Sequence, residues 1–214
     1  MRVIILGFML ISVIAATLGC VTPSALVLDD SYDAAIERAV QPFGQSEKQG
    51  YLRKIFQESI HAWNTQSSYA QVRSEVAAIS GVRNQFRLEV GSVNAGGYRV
   101  IWIVETRAGV VAFSNMFSAR HLTTQRISKA EWRRFVTTLG ENEKSIGCIS
   151  DLSVDDGSAY FGTIASGQEV KKFAVYGFLP FPRAPAAQDL YARLSPCSEI
   201  IWAAYSLVRS AHLS

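Results

Sequence analysis

The apolar residues of the chain follow three successive patterns, and each pattern indicates a different kind of structure. Residues 3–16 form a densely apolar stretch without a charge. From residue 47 to residue 79, apolar positions recur at intervals of three and four, as they do on one face of a helix. From Val82 onward, apolar and polar residues alternate, as in a strand with one buried and one solvated face. The order predicts helices first and a sheet afterwards.

The helical pattern predicts three helices before the sheet. Asp30 or Ser31 is expected to cap a short helix that ends at about Val40. Ser46 is expected to cap the second helix, whose core-facing side carries Leu52, Ile55, Phe56, Ile60 and Trp63. The third helix is predicted to begin near Ser67 and to bury a further apolar stripe.

The strand pattern predicts a meander followed by a second hairpin. The predicted strands are residues 82–90, 98–105, 110–117, 148–152, 158–164 and 169–178. The first three are joined by connections too short for a crossover helix, so they must pair antiparallel. Between the two groups, Ser128-Lys129-Ala130-Glu131 matches a capping box and predicts a helix to about residue 139. In the first strand, Arg83, Gln85, Arg87 and Glu89 are expected on the solvated face.

Two more helices are predicted at the end of the chain, at about 186–194 and 198–211. The order of elements predicts an α+β fold with a single antiparallel sheet of about five or six strands. We expect the N-terminal and C-terminal helices to pack on one face of that sheet.

The start of the chain has the features of a secretory signal, with Met1-Arg2 ahead of the apolar stretch. The dense apolar part is shorter than the roughly 20 residues that a membrane-spanning helix needs. Residues 16–20, Ala-Thr-Leu-Gly-Cys, resemble the lipobox of bacterial lipoproteins. The resemblance implies cleavage between Gly19 and Cys20, a diacylglyceryl group on the Cys20 sulfur and an acylated new N-terminus. Val21 after the cysteine, instead of aspartate, implies the periplasmic side of the outer membrane.

These features divide the chain into three parts. Residues 1–19 are predicted to be a signal peptide, residues 20–30 a lipidated tether and residues 31–214 a single α+β globular domain. The 195 residues that follow the signal are enough for one domain with a sizeable core.

If Cys20 carries lipid, Cys148 and Cys197 are left as an even pair in an oxidising compartment. We expect a disulfide between them, which would join the last helix to the sheet. The alternative is two reduced, buried thiols. No histidine stands at ligand spacing from either cysteine, so no metal site is predicted.

The charge of the chain is concentrated in its middle third. Val82 to Arg134 contains nine basic and three acidic residues, a net charge of +6. A positive field of this kind attracts anionic partners, such as an acidic protein surface, lipid headgroups or cell-wall polymer. Nucleic acid is not expected in the periplasm. The alternative is a sheet face that uses arginine for solubility.

Motifs of known chemistry are missing from the sequence. It contains no GxSxG elbow, no serine three residues before a lysine, no HExxH and no CxxC. No catalytic residue and no cofactor is therefore predicted. One alternative is a glycosidase-like pair formed by Glu105 with Asp155 or Asp156. The competing interpretation is structural: Glu105 forms an ion pair with a neighbouring arginine, and the two aspartates lie in a turn. Among the histidines, His121 has the most favourable place for a function.

The segment 178–185 combines prolines, aromatic rings and a guanidinium, as protein-binding anchors do. We expect Phe178, Phe181 and Arg183 to bind a partner together with Arg83 and Arg87. The resulting hypothesis is a lipid-anchored periplasmic binding protein without catalytic activity, for example an immunity or inhibitor protein that binds an acidic protein partner. The alternatives are an envelope hydrolase acting on cell-wall polymer and a scaffold lipoprotein of an envelope machine.

Overall fold

The computed structural model describes residues 27–92, 98–116, 122–142, 157–177 and 196–212. The helices in these ranges are α1 (Asp33–Val40), α2 (Glu47–Asn64), α3 (Ser67–Ala77), α4 (Lys129–Asn142) and α5 (Pro196–His212). The strands are β1 (Val82–Ser92), β2 (Arg99–Thr106), β3 (Gly109–Ser114), β4 (Thr123–Ile127), β5 (Ser158–Ser166) and β6 (Glu169–Gly177). The predicted α+β class is confirmed.

All six strands form one antiparallel sheet in the order β4-β3-β2-β1-β5-β6. At one end, Val82 pairs with Thr106, and the β2–β3 and β5–β6 turns lie beside it. We call this the Val82 end. At the other end, Ser92 pairs with Ser158, which pairs with Gly177. We call this the Ser92 end.

Helices cover both faces of the sheet, whereas cover on one face was expected. Helices α1, α2 and α3 pack on one face, and α4 and α5 pack on the other. The reason lies in β2, where Trp102 and Val104 point to the first face and Ile101 and Ile103 to the second, all of them fully buried. A strand that is apolar on both sides needs a layer on each of them.

Two of the predicted helix caps are confirmed and one is wrong. The Ser46 hydroxyl accepts a hydrogen bond from the backbone amide of Gln49 at the start of α2. Ser128 and Glu131 exchange the reciprocal bonds of a capping box at the start of α4. Helix α1 instead begins without a side-chain cap. The carboxylate of Asp30, one of the two expected caps, binds arginines, as described below.

Five of the six predicted strands are confirmed, and the sheet contains one further strand that was not predicted. Strand β4 was not predicted, because Thr123–Ile127 is mostly polar and carries only one buried residue at the edge of the sheet. The hairpin of β5 and β6 lies where it was expected. The predicted strand at 148–152 and the predicted helix at 186–194 lie outside the described residues.

The packing of one glycine yields a prediction. Gly162 in β5 lies under the ring of Phe173, and a Cβ atom there would sit 2.0 Å from the ring. We expect Gly162→Ala to destabilise the protein by about 1–3 kcal/mol, because the ring must leave its place in a packed core.

Gly50 in α2 is the matched control, because a Cβ atom there meets nothing within 4 Å. Gly50→Ala is expected to stabilise the protein by about 0.5–1 kcal/mol through better helix propensity. Urea unfolding of the two variants measures both effects. Equal shifts of the same sign would contradict the packing of Phe173.

Candidate functional site

Arg87, which was expected to face a partner, is buried inside the protein. Its side chain and that of Glu89 have no exposed surface, and Gln85 is only 2% exposed. The face of β1 that was expected to be exposed to solvent lies under the layer formed by α1, α2 and α3. The assignment of Arg87 to a partner surface is therefore wrong, because its guanidinium is surrounded by the protein's own groups.

The Arg87 guanidinium contacts two carboxylates, a backbone carbonyl, the Tyr32 hydroxyl and an indole ring. One Nη atom donates to Oδ1 of Asp30 at 2.8 Å and the other to the backbone oxygen of Asp29 at 2.8 Å. The Nε atom lies 3.7 Å from Oε1 of Glu89. The guanidinium carbon also lies 4.8 Å from the centre of the Trp102 ring, within range of a cation–π interaction. Asp30 in turn pairs with Arg73 of α3.

Glu89 completes this buried charge cluster, which we define as Asp30, Arg73, Arg87 and Glu89. Its Oε2 accepts a hydrogen bond from the Tyr32 hydroxyl at 2.8 Å, and that hydroxyl lies 2.8 Å from Oγ1 of Thr163. Burial raises the pKa of Glu89, and Arg87 and the Tyr32 hydroxyl offset only part of that rise. Burial likewise raises the pKa of Tyr32, so this hydroxyl stays a donor.

The cluster and its neighbours hold the segment before α1, residues 27–32, which we call the N-terminal strap. The side chain of Gln85 both donates to and accepts from the backbone of Val27, at 2.9 and 3.1 Å. Lys172 donates to the Asp29 carboxylate and to the Ser31 carbonyl, each at 2.7 Å. The hydrogen bond from Lys172 lowers the pKa of Asp29. Residues 27–30, placed in the tether by the sequence, are thus bound to the sheet.

The exposed basic residues collect at the Val82 end. We define the basic end as Arg83, Arg107, Arg126 and Lys129, which are all exposed. Arg83 is the second residue of β1, Arg107 lies in the β2–β3 turn, Arg126 is the penultimate residue of β4 and Lys129 begins α4. The register of the sheet places Arg83, Arg107 and Arg126 at the Val82 end, and Lys129 follows two residues after the end of β4.

The residues expected to form one interface with Arg83 follow, in sequence, a strand that ends at the opposite end of the sheet. Phe178, Phe181 and Arg183 lie outside the described residues, but they follow Gly177 at the Ser92 end. Nine residues of β1 separate Arg83 from Ser92, a distance of about 30 Å at the usual rise of a strand. The segment 178–185 thus begins far from Arg83.

The cysteines are described only in part. Cys197 is buried in the first turn of α5 and is disulfide-bonded. Cys20 and Cys148, the other two cysteines of the chain, lie outside the described residues. The pairing of Cys148 with Cys197 stays a prediction.

Glu105, the acid of the hydrolase alternative, has a structural role in the sheet. Its Oε2 accepts hydrogen bonds from the Asn84 amide and from the Trp132 indole, the latter at 2.8 Å. The arginine expected to pair with Glu105 in the structural interpretation is replaced by these two neutral donors. Asp155, Asp156 and His121 lie outside the described residues. Within the described part of the chain, no cluster of three histidines, cysteines or carboxylates is arranged to hold a metal ion.

The buried charge cluster predicts that neighbouring arginines on one strand differ sharply in their contribution to stability. Arg87→Met leaves the buried Glu89 carboxylate without a cation and leaves Asp30 with Arg73 alone, so we expect a loss of about 3–5 kcal/mol. Arg83→Met, at an exposed position, should cost at most about 1 kcal/mol. Chemical denaturation of both variants tests this difference. A mild Arg87→Met would show that its guanidinium is not needed inside.

The opposite pKa shifts of Glu89 and Asp29 predict opposite pH dependence. The folded-state pKa of Glu89 is raised, so the stability it contributes is complete below its unfolded pKa and is lost as pH rises through the folded value. The folded-state pKa of Asp29 is lowered, so its contribution is present above its unfolded pKa and is lost as pH falls through the folded value.

Unfolding between about pH 3 and pH 7 tests these signs, because the unfolded carboxyl pKa values are about 4. As pH rises over this range, the wild type should lose stability relative to Glu89→Gln and gain stability relative to Asp29→Asn. Parallel curves for the wild type and Glu89→Gln would contradict the raised pKa of Glu89.

Comparisons with known proteins do not assign a function to this arrangement. No known family model matches the chain, and no curated protein matches it. None of the helices in the described ranges has the length and apolar character to cross a membrane. The function has to be inferred from the residues and from where the fold places them.

Proposed function

We propose that this protein is a lipid-anchored binding protein on the periplasmic side of the outer membrane, and that it binds a protein partner without catalysing a reaction. The lipobox-like residues 16–20 and the thiol of Cys20 supply the anchor. The acyl chains of such an anchor hold a soluble domain on a bilayer, since each buried methylene contributes about 0.8 kcal/mol.

The observation that carries the proposal is the placement of two segments at different ends of one sheet. The chain from Cys20 reaches the sheet at Val27, which is bonded to Gln85 near the Val82 end. The segment 178–185 starts after Gly177, at the Ser92 end. Gln85 and Ser92 are seven residues apart on β1, or about 23 Å. The attachment point and the proposed partner segment are thus separated by most of the sheet.

The proposed partner surface is Phe178, Phe181 and Arg183, without Arg87. Aromatic side chains and arginine are the residues that most often dominate the binding energy of an interface. An acidic partner was expected from the net charge of the middle third, and within the segment 178–185 its counterpart would be the Arg183 guanidinium. Immunity against, or inhibition of, a toxin or enzyme in the periplasm is the role proposed here, by analogy with small lipoproteins of this class.

The body of the protein suits a binding role because it is a layered support. Both faces of the sheet are covered by helices, and the polar residues of β1 are used to hold the N-terminal strap. Glu105 supports the sheet through Asn84 and Trp132. The prolines of the segment 178–185 reduce the conformational entropy that it would lose on docking.

The proposed function is tested on protein isolated from its native envelope. The intact mass should show a chain that begins at Cys20 and carries acyl groups. A mature chain that retains Met1, or one without lipid on Cys20, would contradict the anchor. The partner is then sought by crosslinking on intact cells and identified from the crosslinked pair.

Once a partner is identified, Phe178→Ala combined with Phe181→Ala should weaken its binding at least about tenfold, as expected for two anchor residues. Tyr51→Ala, which removes an exposed aromatic side chain from α2, is the control and should leave the affinity unchanged. Unchanged affinity in the double variant would remove segment 178–185 from the interface.

A further inference from the structure

We propose that the basic end, formed by Arg83, Arg107, Arg126 and Lys129, binds the anionic phospholipid headgroups of the membrane in which the protein is anchored. The inference deepens the proposed function, and it depends on the lipid at Cys20 only for the length of the tether. It assigns the Val82 end to the bilayer and leaves the Ser92 end for the partner.

The first argument is the excess of positive charge at this end. All four side chains of the basic end are exposed. The nearby carboxylates are engaged: Glu169 pairs with Lys171 at 3.0 Å, Glu105 accepts from Asn84 and Trp132, and Glu131 accepts from Ser128. The hydrogen bonds leave Glu105 and Glu131 charged, but both residues are half-buried, so four exposed cations outnumber two half-buried carboxylates at this end.

The second argument is the length of chain between the lipid and the sheet. Seven residue steps separate Cys20 from Val27, so the two are at most about 25 Å apart. Gln85, which binds Val27, lies three residues from Val82, or about 10 Å. The Ser92 end lies about 23 Å from Gln85 in the other direction. Cys20 could reach that end only if the chain from Val27 back to Cys20 turned toward it and were nearly extended. The anchor therefore favours the Val82 end at the membrane.

The third argument is chemical fit. The guanidinium fork pairs with phosphate oxygens in a bidentate manner, and lysine binds phosphate as a point charge. Near an anionic bilayer each basic residue strengthens binding about fivefold, and the effect decays within a Debye length. Residues 21–26 carry no charge, so nothing in the tether opposes this contact. An acidic protein would have to enter the gap between this end and the bilayer.

Hydrogen–deuterium exchange on the full mature protein in vesicles tests the proposal. In vesicles of phosphatidylethanolamine with phosphatidylglycerol, the amides of the β2–β3 turn at Arg107 and Ala108 should exchange about fivefold more slowly than in vesicles of phosphatidylethanolamine with phosphatidylcholine. Arg107→Gln combined with Lys129→Gln should abolish the difference, which should also shrink at high salt.

Lys48→Gln combined with Lys54→Gln is the matched control, because it removes the same charge from exposed positions on α2 and should keep the protection. Protection that is equal in both kinds of vesicle, or absent from both, overturns the proposal. Protection that appears only after envelope proteins are added also overturns it, in favour of a protein partner. A chain without lipid on Cys20 that still gains protection on anionic vesicles keeps the headgroup contact and loses the anchor.

Discussion

The pairing of Arg87 with Asp30 and Glu89 is the interaction on which the N-terminal half of the structure depends. It joins the N-terminal strap, β1 and, through Arg73, helix α3 at one buried point. Burying charges costs several kcal/mol per ion, which the ion pairs and hydrogen bonds must offset. The gain is specificity, because a strap displaced by one residue would lose the contact between Asp30 and Arg87. The cluster therefore fixes where the chain enters the fold.

The strap also explains why β1 buries polar residues at all. Residues 27–32 have no regular secondary structure, yet they lie against the face of a sheet, where backbone groups need hydrogen-bond partners. Gln85 satisfies both backbone groups of Val27, Arg87 binds the Asp29 carbonyl and Lys172 binds the Ser31 carbonyl. Apolar side chains at Gln85 and Arg87 would leave both backbone groups of Val27 unpaired and would remove one of the two donors to the Asp29 carbonyl. The polar alternation of β1 is thus the complement of an irregular segment.

The polar residues of β1 that bind the N-terminal strap show how much of the structure the sequence could predict. Periodicity and capping residues were sufficient for five of the six predicted helices, for five strands and for the caps at Ser46 and Ser128, because those depend on residues close in sequence. The alternation in β1 indicated that its two faces differ, but it could not show whether the polar face is exposed to solvent or buried. The partners of Arg87 come from Asp29 and Asp30, more than fifty residues earlier, and no local pattern reveals them. The apolar character of β2 on both faces was the available signal that β1 beside it is covered twice.

The same reasoning separates the basic residues that a count of charges had grouped together. Arg83 and Arg87 are four residues apart on β1, but the sheet places Arg87 under helices and Arg83 at an exposed end. Arg107, Arg126 and Lys129 join Arg83 because the start of β1, the β2–β3 turn and the end of β4 lie at the same end of the sheet. The strap, held by the buried cluster, brings the chain from Cys20 to this same end. In the proposed arrangement, a buried ion pair and a surface charge thereby act on one property, the orientation of the domain relative to a lipid anchor at Cys20.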